Sequence, residues 1–264
     1  MSARATRHPA PILSARDIVN RFGRQEVHDR VSLDVIPGEI VGIVGGSGSG
    51  KSVLLKTMTG LHRPDSGEVL IDGKPIGSIG AAEKASLIGV LFQQGALFSS
   101  LSVAQNVMLP MREHTDLPAK EQESIAAMKL ELAGLTGDSA IKVPSQLSGG
   151  MVKRAALARA LALDPKILFL DEPTSDLDPL TAGGIDSLIA KLNESLGLTV
   201  VIVTHDLTTL FTICRRVAVL VDGKITVDTV DRLMRSDQPW IHAFLHGPRA
   251  RGALSARRQK HGNG

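Results

Sequence analysis

Three short runs of the chain are apolar at almost every position: EIVGIVG (39–45), KILFLDE (166–172) and TVVIVTHD (199–206). Unbroken β-branched and leucine-rich runs of this length predict strands buried on both faces, the habit of a parallel sheet. The segment PLTAGGIDSLIAKLNESLG between the second and third has helical periodicity. Strand, crossover helix, strand predicts a parallel α/β core. IGVLFQ (88–93) adds a strand, and RVAVLVDGKITV (216–227) restores strand character near the end. Residues 12–36 alternate instead, with Val31, Leu33 and Val35 apolar and a Pro37-Gly38 turn after them, which predicts short strands. VLID (69–72) followed by Gly-Lys reads as a hairpin. From about 95 to 160 the period is helical, as in MREHTDLPAKEQESIAAMKLELAGL, and predicts a helical insertion.

Within that insertion, LSGGMVKRAALARAL (147–161) predicts a helix capped by Ser148, with Val152, Ala156, Ala160 and Leu163 on one apolar stripe. Gly149 and Gly150 fall in its first turn, where each costs roughly 1 kcal/mol relative to alanine. Bare glycines behind a capping serine suggest backbone N–H groups offered to an anion.

A stronger anion site lies elsewhere. GGSGSGKS (45–52) fits G-x-x-x-x-G-K-[ST] between a buried strand and a helix, the context that motif requires. Gly45, Gly48 and Gly50 let the loop, with Gly46, Ser47 and Ser49, turn its N–H groups inward as a nest that runs into Val53 on the helix. Lys51 would reach the β- and γ-phosphates of a nucleotide and the Ser52 hydroxyl would ligand Mg²⁺. KILFLDE delivers Asp171 and Glu172 to the carboxyl edge of the sheet, where open α/β folds bind ligands. Asp171 suits Mg²⁺, and Glu172 would deprotonate the attacking water. His205 ends a third strand at that edge and would hold the water and donate to the γ-phosphate. Gln93 would touch Mg²⁺ or the water, with Gln94 beside it as the confounder.

Composition narrows the class. One Trp, six Phe and no Tyr argue against a stacking platform for single-stranded nucleic acid. The net charge of +3 comes from the end of the chain: Arg249, Arg251, Arg257, Arg258 and Lys260 follow Pro248 with no acid among them, leaving the rest net negative. That tail reads as a solvated terminus, with contact to an acidic lipid surface or a partner subunit as the alternative. Cys214 is alone, so no intrachain disulfide forms, and it reads as a buried small apolar residue. No signal-peptide core and no bilayer-length apolar run is found, so a cytoplasmic protein is expected.

The ordered set GGSGSGKS, FQQ, LSGGM, ILFLDE, SDLD and THD resembles the ATP-binding subunit of an ABC transporter over nearly the whole chain. The resemblance implies a P-loop NTPase core of the α/β class, an N-terminal antiparallel β subdomain, and an inserted α-helical subdomain carrying the LSGG signature. One such domain is expected over 11–247, with the insertion at about 95–160 and the basic tail at 248–264. The resemblance also implies ATP and Mg²⁺, and a second copy packed head to tail so that Ser148, Gly149 and Gly150 of one subunit cap the γ-phosphate held by the other. On that view the two glycines make poor sense within one subunit. Phe22 resembles the aromatic that stacks on adenine, and Ser175 to Asp178 the loop along the dimer interface. Met151 stands where glutamine is usual and Asp176 where alanine is common; neither transfers a proton or binds metal, so activity should survive both.

Three longer stretches, FQQGALFSSLSVAQNVMLPMREHTDLP, LSGGMVKRAALARALALDP and QPWIHAFLHGPRARG, are similar to the Mla-type branch, which powers phospholipid movement between Gram-negative membranes. This implies integral membrane permease subunits docked near residues 93–112, with Ala96 to Leu101 on the binding face, and an Mce-type lipid-binding component. It also implies a peripheral place on the cytoplasmic side of the inner membrane. A transporter for another substrate is the first alternative. A non-transport ATPase acting on DNA or ribosomes usually has two cassettes or a long coiled-coil arm, and this chain has neither, so no nucleic acid is expected. A small-molecule kinase has no use for LSGG followed by LDE and a late THD.

Overall fold

The structure is a computed structural model that describes residues 9–247 together with Ala250, Gly252 and Ala253. The chain begins with two long strands, β1 (Leu13–Phe22) and β2 (Gln25–Val35), paired antiparallel about a turn at Gly23. Several short strands were expected here. Register shifts between Ala15 and Asn20, beside Asp17 with its left-handed φ of 46°, break the apolar alternation without ending the ladder. Phe22 is therefore the last residue of β1, at the hairpin turn.

The buried strand β3 (Ile40–Gly45) leads into α1 (Lys51–Met58). Next come β4 (Ser66–Ile71) and β5 (Lys74–Pro75), the expected hairpin, then α2 (Ala81–Leu87) and β6 (Ile88–Leu91). The helical insertion holds α3 (Val103–His114), α4 (Ala119–Leu132) and α5 (Gly149–Ala160). The core resumes with β7 (Ile167–Asp171), α6 (Pro179–Leu196), β8 (Thr199–Val203), α7 (Leu207–Ile213) and β9 (Arg216–Val221). β10 (Lys224–Asp228), α8 (Val230–Leu233) and α9 (Pro239–His246) complete it. The apolar run 216–227 is thus two strands, folded back at Asp222-Gly223, both with positive φ.

The described strands form two sheets, β2-β1-β4-β5 and β10-β9-β3-β8-β7-β6. The first is antiparallel; in the second, β9, β3, β8, β7 and β6 are parallel and only β10 is reversed. Leu13, Ile18, Leu33 and Ile71 of the small sheet share a core with Ile43, Leu54 and Met58, so α1 is clamped between the sheets. β7 and β8 are buried at every residue, as unbroken apolar runs require.

The insertion has its own core, in which Val107 and Met111 of α3 and Leu130 of α4 meet Ala155 and Ala158 of α5. On its other side α5 sends Ala156 and Leu157 into the main core. The helix is buried from two directions, and Val152, Ala160 and Leu163 of the expected stripe are only half-buried. Two alanines of the tail, Ala250 and Ala253, are buried with Leu233, Ile241 and Leu245, so the packed chain runs past Gly247. The five basic tail residues lie outside the described residues.

Candidate active site at the carboxyl edge of the parallel sheet

Parallel pairing levels the strand ends. Ile43 lies opposite Val203, Val203 opposite Asp171, and Leu170 opposite Leu91, so the loops after β3, β8, β7 and β6 leave one edge together. The first carries the glycine loop. A Cβ on Gly45 would stand 2.3 Å from the Leu220 carbonyl oxygen, and one on Gly50, at φ 93°, 2.4 Å from Val27 Cγ1. Only glycine fits either place. Gly50 is the N-cap of α1, whose first turn (Lys51, Ser52, Val53) contains no acid. Free N–H groups and the helix dipole then face the loop and favour an anion. Lys51 Nζ donates to the carbonyls of Gly45 and Gly46, each at 2.9 Å, which holds the ammonium over the loop. Burial lowers the Lys51 pKa, opposed by the charges of Glu172 and Asp171. Gly46, Ser47, Gly48 and Ser49 also border a cleft of about 320 Å³, lined in addition by Trp240 of α9.

Asp171 ends β7 nearly out of water, and its Oδ1 has no partner. Burial raises its pKa; a hydrogen bond from the Ser52 hydroxyl works the other way. A buried, unpaired carboxylate oxygen beside a serine hydroxyl suits a hard divalent cation, so these residues fit Mg²⁺. Glu172 follows in a left-handed conformation (φ 49°), its N–H on the Val203 carbonyl at 2.8 Å. Its Oε1 is 2.8 Å from His205 Nδ1, and since a carboxylate only accepts, Nδ1 carries the proton. The Glu172 side chain is 12% exposed and that of His205 67% exposed, so the pair faces an open cleft of about 340 Å³.

Gln93 lies in the turn after β6 with its side chain exposed and, among the described residues, without a hydrogen bond. Its carbonyl is the engaged group, taking Lys153 Nζ from α5. The same ammonium reaches the Glu172 carbonyl at 2.9 Å and Ser175 Oγ at 3.2 Å. Sequence reading passed Lys153 over because a lysine between apolar helix positions looks solvated. Also missed was His62, which stacks on half-exposed Phe22 with ring centres 5.6 Å apart.

The signature turn opens α5. Ser148 caps α5, its Oγ accepting from Met151 N at 3.3 Å, and Ser148 and Gly149 are exposed. A Cβ on Gly149 would sit 3.3 Å from Leu177, and one on Gly150 2.5 Å from Thr181 Cγ2. Gly150 therefore has a reason within its own subunit, contrary to expectation: it lets α5 approach the start of α6. Beyond β6, a groove of about 430 Å³ is lined by Val90, Phe92, Ala96, Phe98, Leu109 and Leu163. Buried Asn106 holds its rim, accepting from Phe98 N at 2.7 Å and donating to the carbonyls of Phe98, Leu101 and Ser102 at 3.0–3.2 Å. Arg159 of α5 donates to the carbonyls of Gly95 and Ala96.

Residues 28–175, more than half of the chain, match the ABC transporter family. The chain belongs to that family. It is 40% identical, over 89% of this chain and 90% of the relative, to the intermembrane phospholipid transport system ATP-binding protein MlaF of Haemophilus influenzae. It is also 40% identical to the probable ribonucleotide transport ATP-binding protein mkl of Mycobacterium leprae, over 90% of this chain and 69% of that one. A dimeric, post-hydrolysis structure of the ATP-binding cassette MJ0796 bound to ADP and Pi superposes with a TM-score of 0.75 at 34% identity, covering 83% of this chain and 98% of the other. As an ABC cassette the chain is an ATPase on an α/β P-loop fold.

Proposed function

We propose that this chain is the motor subunit of an ABC transporter that moves phospholipid between the two membranes of a Gram-negative envelope. Its similarity to MlaF along nearly its full length carries the reading. In the proposed site the loop Gly45–Ser52, with Val53 behind it, cradles the phosphates and Lys51 neutralises them. Phe22 stacks on adenine, with His62 stiffening it from behind. Ser52, Asp171 and Gln93 are the proposed holders of Mg²⁺, which when bound neutralises charge on the phosphate oxygens. Glu172 accepts the proton of the attacking water, and the hydrogen bond to His205 orients its carboxylate. His205 Nε2 then donates to the γ-phosphate when the ring carries both protons, and accepts from the attacking water when it carries only the Nδ1 proton.

Ser148, Gly149 and Gly150 serve the nucleotide of a second copy turned head to tail. The dimeric relative and the exposure of Ser148 and Gly149 support this. The apolar groove bordered by Ala96 and Phe98 suits an inserted helix of a permease, which in turn joins an Mce-type component. No helix among the described residues is long and apolar enough to cross a membrane, in keeping with a peripheral seat on the cytoplasmic side of the inner membrane. The mkl relative favours a second cargo, ribonucleotide, on the same motor. Lipid recovered with the permease complex decides the cargo: bound phospholipid supports the first reading, and nucleotide without lipid the second. Glu172→Gln tests the site. It should slow hydrolysis by about 100-fold or more while ATP still binds and dimers accumulate; hydrolysis at the parental rate refutes the assignment of the base.

A further inference from the structure

Lys153 lies on α5, three residues past the second signature glycine, and its side chain is buried. An ammonium taken out of water is stable only where acceptors replace its hydration. It has three N–H donors, and here it meets three acceptors: the carbonyls of Gln93 and Glu172 and the hydroxyl of Ser175. Each belongs to a different part of the site, namely the turn after β6, the end of β7, and the loop that leads to α6. Burial lowers the lysine's pKa, and the charges of Asp176, Glu172 and Asp171 offset that. The Glu172 backbone is also left-handed, a conformation that persists only where its surroundings hold it. Lys153 and Ser175, both on the Glu172 carbonyl, and Val203 on its N–H are those surroundings.

We propose that Lys153 is a positioning residue for ATP hydrolysis, one ammonium that ties the backbone of Gln93 and Glu172 to the signature helix. The direction of the Glu172 carboxylate and the attitude of the signature turn are then set together. A shift of the helical subdomain, which carries a phosphate cap for one nucleotide, pulls on the base that serves the other. This rests on the proposed roles of Glu172 and of the signature.

Lys153→Met keeps the length and the apolar stem but removes every donor; Lys153→Arg keeps charge and donors. In the full chain, Lys153→Met should lower kcat about tenfold or more with KM for ATP within about twofold of the parent, because the phosphate loop is untouched. Lys153→Arg should regain at least about a third of the parental kcat. Should Lys153→Met fail to fold, Lys153→Leu, also without donors, takes its place and is read in the same way. Parental kcat in the donor-less variant, a loss confined to KM, or an arginine variant as slow as the methionine one overturns the proposal. Failure here is distinguishable from failure of the wider reading. A fast Glu172→Gln enzyme removes the base, whereas a slow Glu172→Gln beside a fast Lys153→Met removes only the tie.

Discussion

His28 lies wholly out of water beneath the phosphate loop, its Nδ1 2.8 Å from the Asn20 amide nitrogen, which also donates to Thr57 Oγ1. With Nδ1 accepting, Nε2 carries the proton; it lies beside Gly50, with no hydrogen-bond partner among the described residues. Burial lowers the pKa below the ordinary 6.5, with the nearby charge of His62 a lesser cause in the same direction. The folded state thus prefers the neutral ring, while the unfolded chain takes up a proton near 6.5. The stability that His28 contributes is complete above that pH and is lost as pH falls from there through the lowered folded value. The melting temperature should drop from about pH 7 to about pH 5.5, and drop less in His28→Gln. Equal slopes would show that other groups govern the acid limb. Neither His28 nor Lys153 was legible in the sequence. Isolated polar residues at apolar periodicity look the same whether they are solvated, satisfied by a core network or tied to a site, and only the fold supplies their partners.

Elements were legible where burial is uniform. β3, β7 and β8 are apolar throughout because both faces are covered, and the glycine loop between β3 and α1 could hardly be misread. β1 and β2 were cut short because a bulge breaks the alternation that identifies a strand, although the ladder continues across it. The expected stripe on α5 failed for a related reason: a helix packed from two sides has no single apolar face. The loop before α3 shows how an element's start can shape a surface. Asn106, one turn into α3, holds the backbone at Phe98, Leu101 and Ser102, and the Ser102–Gln105 capping box fixes the helix end. Asn106→Ala takes the acceptor from the Phe98 N–H and a donor from three carbonyls, of which those of Phe98 and Ser102 keep a backbone donor. It should lower the unfolding free energy by about 2 kcal/mol in urea titrations and release the chain from its permease on co-purification. Retained binding would move the docking surface elsewhere.

At the scale of the whole molecule, the phosphate loop opens α1 and the signature opens α5, on separate elements of one chain. The proposed head-to-tail pair would make each site from halves of two chains, which gives a complementation test. Ser148→Arg spoils the cap that a subunit lends, and Lys51→Ala spoils the loop that it keeps. Each alone should be inactive. Mixed, they should recover up to about a quarter of parental hydrolysis, since half of the dimers are hybrids and each hybrid has one intact site. No recovery on mixing, or full activity of the serine variant alone, rules out the shared arrangement. LSGG suggested this division of labour, and the fold adds that Gly150 also answers to Thr181 of its own chain.

Trp240 borders the phosphate-loop cleft, 3.6 Å from where a Cβ on Gly46 would sit and stacked on Phe244. The chain holds one tryptophan and no tyrosine. Its near-ultraviolet emission therefore arises almost wholly beside the nucleotide cradle, so unlabelled protein reports on that cradle. Stopped-flow recordings of that emission can time the arrival of nucleotide separately from the slower closing of the dimer.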